Sequence, residues 1–184
     1  MSPSDRAGAV ADLVAAHIRE IPDFPEPGIQ FKDLTPLFAD GPAFRAVVDA
    51  IVEHHRDGDD IGFDVVVGIE ARGFVLAAAI GYAAGVGFVP VRKAGKLPGE
   101  THRIAYALEY GEAVLEVHAD AFPPGARALV VDDVLATGGT VEAALGLVEQ
   151  AGARIAGVSV VLELGFLGGR KRLAPRDVHT LATV

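Results

Sequence analysis

Residues Ala128 to Gly152 read ALVVDDVLATGGTVEAALGLVEQAG. A β-branched apolar run, Ala128 to Asp132, gives way to two adjacent acids, Asp132 and Asp133, and then to the hydroxyl- and glycine-rich segment Ala136, Thr137, Gly138, Gly139 and Thr140. Beyond it Val141, Ala144, Leu145 and Val148 recur at helical spacing, with Gly152 as a stop. The stretch therefore predicts a buried strand, a loop over Val130 to Thr140 that leaves its carboxyl end, and a helix opened by the glycines. That is the repeating unit of a parallel sheet with crossover helices.

Three more short runs share the character of the first strand: Asp64 to Ile69, Gly87 to Val91 and Ile155 to Leu162. Helix-length segments separate most of them, so the fold class is α/β, a parallel β-sheet core flanked by helices. Between Ile104 and Val117 the sequence alternates and turns at Gly111, which predicts a β-hairpin flap projecting from the sheet, within residues 93–117. Upstream, Val10, Leu13, Val14, Ile18 and Ile21 mark an amphipathic helix with Ser4 as its cap, and His17 on its apolar face reads as a packed histidine. Ile21 to Asp33 holds three prolines and a glycine, which forbid regular helix and predict an extended arm. A further helix is expected over Phe44 to His55. The adjacent His54 and His55 near its end have no metal-ligand pattern close by in sequence and read as a polar helix end.

The whole chain of 184 residues fits a single domain, with the helix and arm occupying residues 1–35. Apolar residues make up 51% and charged ones 22%, the balance of a folded globular protein. The absence of cysteine excludes a disulfide framework and thiolate metal sites and fits a cytoplasmic protein. Gly73 to Val91 carries no charge between Arg72 and Arg92. Gly81, Gly85, Gly87 and Pro90 divide it into a buried helix and a buried strand, so no membrane span is expected. A net charge of −9 argues against a nucleic-acid binder. Arg92, Lys93, Lys96 and Arg103 nevertheless cluster, which suits a small anionic ligand on an acidic body.

Ligands in open parallel sheets sit beyond the carboxyl ends of the strands. There the amides at a helix N-terminus, approached closely because Gly138 and Gly139 lack side chains, and the hydroxyls of Thr137 and Thr140 form a phosphate cradle. Asp132 and Asp133 repel that phosphate and must face something electropositive or hydroxyl-bearing, such as ribose hydroxyls or hydrated magnesium. Acids beside a glycine cradle thus describe a sugar-phosphate site. A P-loop is excluded, because Pro90 stands where the first glycine before Gly95 and Lys96 is needed. The dinucleotide-fold, hydrolase and zinc-protease motifs are absent as well.

Val130 to Thr140 resembles the loop that binds phosphoribosyl pyrophosphate (PRPP) in type I phosphoribosyltransferases. Phe24 to Thr35 (FPEPGIQFKDLT), Glu70 to Phe74 (EARGF) and Val89 to Gly111 (VPVRKAGKLPG through LEYG) resemble the adenine phosphoribosyltransferase branch. The resemblance spans nearly the whole chain in family order. It implies transfer of the 5-phosphoribosyl group from PRPP to adenine, giving AMP and pyrophosphate, with Mg2+ bound chiefly through PRPP and no metal held by protein ligands alone. It also implies a homodimer. Ala136, Thr137, Gly138, Gly139 and Thr140 would bind phosphate; Asp132 and Asp133 would face the ribose. Arg72, Arg92, Lys93 and Lys96 would approach pyrophosphate, and backbone around Gln30, Phe31 and Lys32 would read adenine. Glu109 and Tyr110, in the flap, match the family's pair, and Glu109 could exchange a proton with the purine; with Arg72 they are the expected catalytic residues. Lys32 and Gln30 depart from the common arginine and small apolar residue. Two alternatives stay open on the sequence: a transferase for a 6-oxopurine such as hypoxanthine or xanthine, and a non-catalytic PRPP-binding regulator.

Overall fold

The computed structural model describes residues 3–107 and 112–184. In chain order its elements are α1 (Pro3–Ala16), β1 (Arg19–Pro22), β2 (Gln30–Asp33), α2 (Thr35–Ala39), α3 (Gly41–His54), β3 (Arg56–Asp57), β4 (Asp60–Ile61) and β5 (Val65–Ile69). They continue with α4 (Arg72–Ala84), β6 (Gly87–Lys93), β7 (Thr101–Ala107), β8 (Glu112–His118), β9 (Arg127–Leu135), α5 (Gly139–Gln150), β10 (Arg154–Glu163), α6 (Gly169–Leu173) and β11 (His179–Thr183). The main sheet has seven strands in the order β11-β10-β9-β5-β6-β8-β7. Strands β6, β5, β9, β10 and β11 run parallel, and the β7–β8 hairpin adds antiparallel to β6.

Period-2 alternation divides the core between the two faces of the sheet. Val65, Val67 and Ile69 of β5 and Val130 of β9 pack with α5 through Val141, Ala144 and Val148. Val66, Leu129 and Val131 face the other way, onto Val47 and Ile51 of α3 and Leu76 and Ile80 of α4. The hairpin contributes to the first face, since Leu115 and Val117 are buried in it. Backbone pairs between β6 and β8 join Arg92 to Glu116 and Lys93 to Leu115, so the base of the hairpin is sewn into the sheet. Its apex, with Glu109 and Tyr110, lies outside the described residues.

Several sequence expectations shift in detail. Helix α1 starts at Pro3, one residue before Ser4. Helix α3 starts three residues before Phe44, because the Asp40 side chain caps it by accepting from the Ala43 amide at 2.9 Å and proline occupies its first turn. The arm is a two-stranded antiparallel hairpin, Arg19 pairing with Asp33 and Pro22 with Gln30. Strand β9 runs on to Leu135 because β10 pairs with it as far as Glu163, so Asp132 and Asp133 belong to the strand and the loop after it is short. The segment Gly73 to Val91 is only partly buried. Val75 is 47% and Tyr82 92% exposed, because the periodicity that buries Leu76 and Ile80 turns the other face of α4 outward, and Phe88 of β6 is 41% exposed. Among the described residues no helix is long and apolar enough to cross a membrane.

Candidate active site

Strand β5 is followed in sequence by β6 on one side and is flanked on the other by β9, so the chain's order reverses beside it. A crevice opens beyond the carboxyl ends of strands at such a reversal, because the connections leave in opposite directions. Two segments line it here: Glu70 to Arg72, leaving β5, and Asp132 to Thr140, from β9 into α5.

Close backbone approach sets the width of that crevice. A Cβ on Gly73 would lie 2.9 Å from the Val131 carbonyl oxygen and 3.1 Å from an Asp132 carboxylate oxygen, so only glycine lets α4 start against β9. This brings the Arg72 side chain onto Asp133, with the guanidinium Nε donating to the carboxylate in an ion pair. Asp133 is buried at 4% exposure. Asp132 accepts from the Asp133 amide at 2.9 Å. Burial, with the Asp133 carboxylate next to it, pushes the Asp132 carboxyl well above the usual range. The two acids therefore differ: Asp133 is an ion-paired carboxylate, and Asp132 is held toward the protonated state until a cation or hydrogen-bond donors join it.

The phosphate-loop residues fall together at the start of α5. Gly138 is left-handed at φ 85° and caps the helix, and its carbonyl accepts the Glu142 amide at 2.9 Å as the helix begins. The amides of that first turn have no acceptor within the helix and point outward at the positive end of its dipole. Thr137 is exposed and Thr140 half-buried beside them. Gly169, at the start of α6, backs this loop so closely that a Cβ on Gly138 would stand 2.8 Å from its carbonyl oxygen. Helix α6 is fixed in turn by Arg170, which donates to both carboxylate oxygens of buried Glu163 at the end of β10.

On the β6 side the expected basic cluster is organised by an acid. Arg92 Nε donates to Glu70 at 3.3 Å, the Lys93 amide donates to the same carboxylate at 3.0 Å, and the Lys96 ammonium lies 4.0 Å from it. The Arg92 guanidinium also stands 5.9 Å from the centre of the Phe74 ring. Arg103 pairs instead with Glu116 at 3.1 Å. Glu116 is fully buried and accepts the Lys96 and Leu97 amides, each at 2.8 Å, which pins the loop after β6 to the hairpin. Those hydrogen bonds and Arg103 hold its carboxyl below the ordinary value although burial opposes them.

The arm reaches the same crevice. Phe31 stacks edge-on against Phe24 at 5.2 Å between ring centres, and Arg72 lies 5.8 Å from the Phe31 ring. Arg72 is thus shared by the arm and the acids. The Lys32 ammonium is taken by Glu20 of β1, while Gln30 is exposed at the start of β2. Buried Asp33 locks the arm to α2, accepting from the Thr35 amide at 2.9 Å and from Arg19 Nε at 3.0 Å. Chiefly through the Thr35 bonds and then Arg19, its pKa is lowered to about 2.

Sequence reading gave no role to Glu70, Glu116, Asp33 or Gly169. Glu70 had a local signal, since it opens the segment that carries Arg72. Glu116 lies on the hairpin face opposite Leu115 and Val117 and is covered only because the loop after β6 folds over it, which spacing does not reveal.

The sequence pattern of the phosphoribosyl transferase domain matches residues 37–179. A protein named adenine phosphoribosyltransferase from Salinispora arenicola is 67% identical over 98% of this chain and 94% of its own length. The crystal structure of adenine phosphoribosyltransferase from Rhodothermus marinus superposes with a TM-score of 0.88 at 46% identity, covering 96% of this chain and 99% of that one. That of the Saccharomyces cerevisiae enzyme, complexed with D-2,5-dideoxy-2,5-imino-altritol 1,6-bisphosphate and adenine, has a TM-score of 0.89 at 40% identity, covering 95% of this chain and 99% of that one. A crevice at the chain reversal, a glycine cradle beside paired acids and near full-length identity lead to one assignment: the chain belongs to the adenine phosphoribosyltransferase family.

Proposed function

We propose that this crevice joins adenine to the ribose of PRPP, releasing pyrophosphate and forming AMP. The observation that carries the assignment of roles is the alignment of Phe31, Arg72 and Asp133 beside the Gly138 cradle. In this reading the apolar ring of Phe31 serves the base, Arg72 the leaving group, Asp133 the ribose and the Gly138 loop the 5-phosphate.

A purine ring nitrogen attacks the anomeric carbon as the bond from that carbon to the pyrophosphate oxygen breaks. The electron pair leaves with pyrophosphate, and the proton of the attacking nitrogen passes to a base. The ribose gains oxocarbenium character in between, so stabilising the departing charge lowers the barrier most. Arg72, Arg92, Lys93 and Lys96 serve that charge. Thr137, Thr140 and the amides of Gly138 and Gly139 hold the 5-phosphate with Ala136, and Asp132 and Asp133 face the ribose. The arm at Gln30, Phe31 and Lys32 orients adenine, while Glu109 and Tyr110 come from the hairpin apex, Glu109 taking the proton and the pair helping to exclude water.

Mg2+ fits this site. The carboxylate oxygens of Asp132 are hard donors, and the unfavourable charge of adjacent acids is relieved by a cation. Bound with PRPP, it would supply positive charge to the diphosphate. We also infer a homodimer, supported by the large apolar residues Val75, Tyr82 and Phe88 left exposed on α4 and β6. The cytoplasm is the inferred compartment, on the basis of the cysteine-free composition.

The decisive assay is pyrophosphate release from magnesium–PRPP with adenine, hypoxanthine, guanine and xanthine offered separately. Turnover with adenine alone is expected. Turnover with an oxopurine in its place would overturn the reading of the arm, and PRPP binding without turnover on any base would make the protein a sensor. Sedimentation of the wild type and Tyr82→Glu tests the dimer: a monomeric wild type would refute it.

A further inference from the structure

The edge of the sheet opposite the crevice carries a second cluster of chemistry-bearing side chains. His54 is the last residue of α3 and His55 its cap, while His179 opens β11 from the far end of the chain. Strand pairing sets His179 beside Ser159 of β10. The His54 and His179 rings stack at 3.6 Å between centres, and a nitrogen from each of the three histidines lies within 4.8 Å of the others. They line a cleft of about 700 Å³ that also holds Glu149, Arg154, Arg176 and Asp177.

We propose that His54, His55 and His179 form a transition-metal site for an ion of the zinc or cobalt(II) class, which staples the end of α3 to β11. Imidazole is the side-chain ligand these ions share, and three nitrogens with one open position suit their four-coordinate geometry. Bonds of about 2.0–2.1 Å require ligand nitrogens roughly 3.4 Å apart with each in-plane lone pair aimed at the ion, so the exposed His54 ring swings out of its stack on His179 when the ion binds.

Two observations support a built site over a chance cluster. Ser159 is fully buried, and its Oγ lies 2.8 Å from His55 Nε2 and 2.9 Å from His179 Nδ1, the hydroxyl partner that orients ligand rings from behind. The pairing of β9 with β10 is irregular between Ile155 and Gly157, and a Cβ at Gly157 would stand 2.9 Å from His55 Nδ1, so the bulge and the glycine make room for that ring. Of the charged groups in the cleft, Arg176 pairs with Glu149 and Asp177 pairs with Arg170 at 3.5 Å.

The test is titration of the chelator-treated full-length protein with cobalt(II), followed by visible absorption, with zinc as competitor and no PRPP present. The expected result is one ion per chain with the intense band of a four-coordinate site, displaced by zinc, and a melting temperature raised by zinc. In His54→Ala, an exposed position that leaves the buried rings in place, affinity should fall at least tenfold and the zinc-induced shift should vanish. His179→Gln should lose the band while keeping adenine turnover, since the cluster is remote from the crevice. No saturable band in the wild type, or an unchanged band in His54→Ala, would overturn the proposal, the latter by showing that His54 is not a ligand.

Discussion

Substituting Gly138 by alanine tests how far the phosphate cradle is a product of tertiary packing. Gly138 sits at φ 85°, where an L-residue costs about 1–2 kcal/mol. Its new methyl would lie 2.8 Å from the Gly169 carbonyl oxygen, a backbone atom that can yield only if α6 moves. That helix is held by the Arg170–Glu163 pair, so the overlap adds overpacking strain of about 1–3 kcal/mol. Alanine recovers about 0.4–1 kcal/mol by restricting the unfolded chain, which leaves a net loss of roughly 2–4 kcal/mol. In urea this should lower the unfolding midpoint by roughly 1–2 M. PRPP affinity, measured by calorimetry, should fall as well, because α5 must retreat from α6 and carry its first-turn amides with it. A midpoint within about 0.2 M of wild type together with unchanged affinity would refute the reasoning. Gly138→Val, which would otherwise read as a simple plug of the anion site, carries the same structural penalty and cannot isolate ligand binding.

Thr137→Ala is the matching probe of ligand binding alone: its side chain is exposed, so the PRPP KM should rise several-fold with an unfolding midpoint equal to wild type, and an unchanged KM would remove the hydroxyl from the cradle. Arg72→Gln should lower kcat by about 10²-fold or more if the guanidinium stabilises leaving charge, and should also destabilise the fold by leaving buried Asp133 without its cation; steady-state kinetics with full activity would sink the assignment. Asp33, depressed to about 2, contributes stability that is complete above the ordinary carboxylate value of 3.8 and is lost as pH falls toward 2. Urea midpoints of the wild type should therefore drop between pH 4 and pH 2, and those of Asp33→Asn should drop less; parallel curves would show that the arm is anchored by other contacts.

Local chemistry was legible in the sequence wherever neighbours along the chain decide it. The strand-to-helix unit at Ala128 to Gly152, the amphipathic spacing of α3 and the alternating hairpin follow from periodicity, and the cradle follows from two glycines between two threonines. Element ends were less legible. Strand β9 continues through Asp133 because β10 supplies partners, and α4 exposes Tyr82 because only one of its faces meets the sheet.

The sequence by itself determined the α/β class, the anion-binding loop and the membership that near full-length identity makes plain, because each depends on residues close together or on a whole ordered pattern. Tertiary structure alone decided which charges meet. It gave Asp133 to Arg72, placed Glu70 among the cations of β6, buried Glu116 under a loop and stacked His54 on His179 from the far end of the chain. Such pairings depend on how strands order themselves in the sheet and how closely helices approach it, and glycines such as Gly73 set that approach through the space they leave. Ionic and steric partnerships are through-space quantities, so their assignment waits on the fold that brings the partners together.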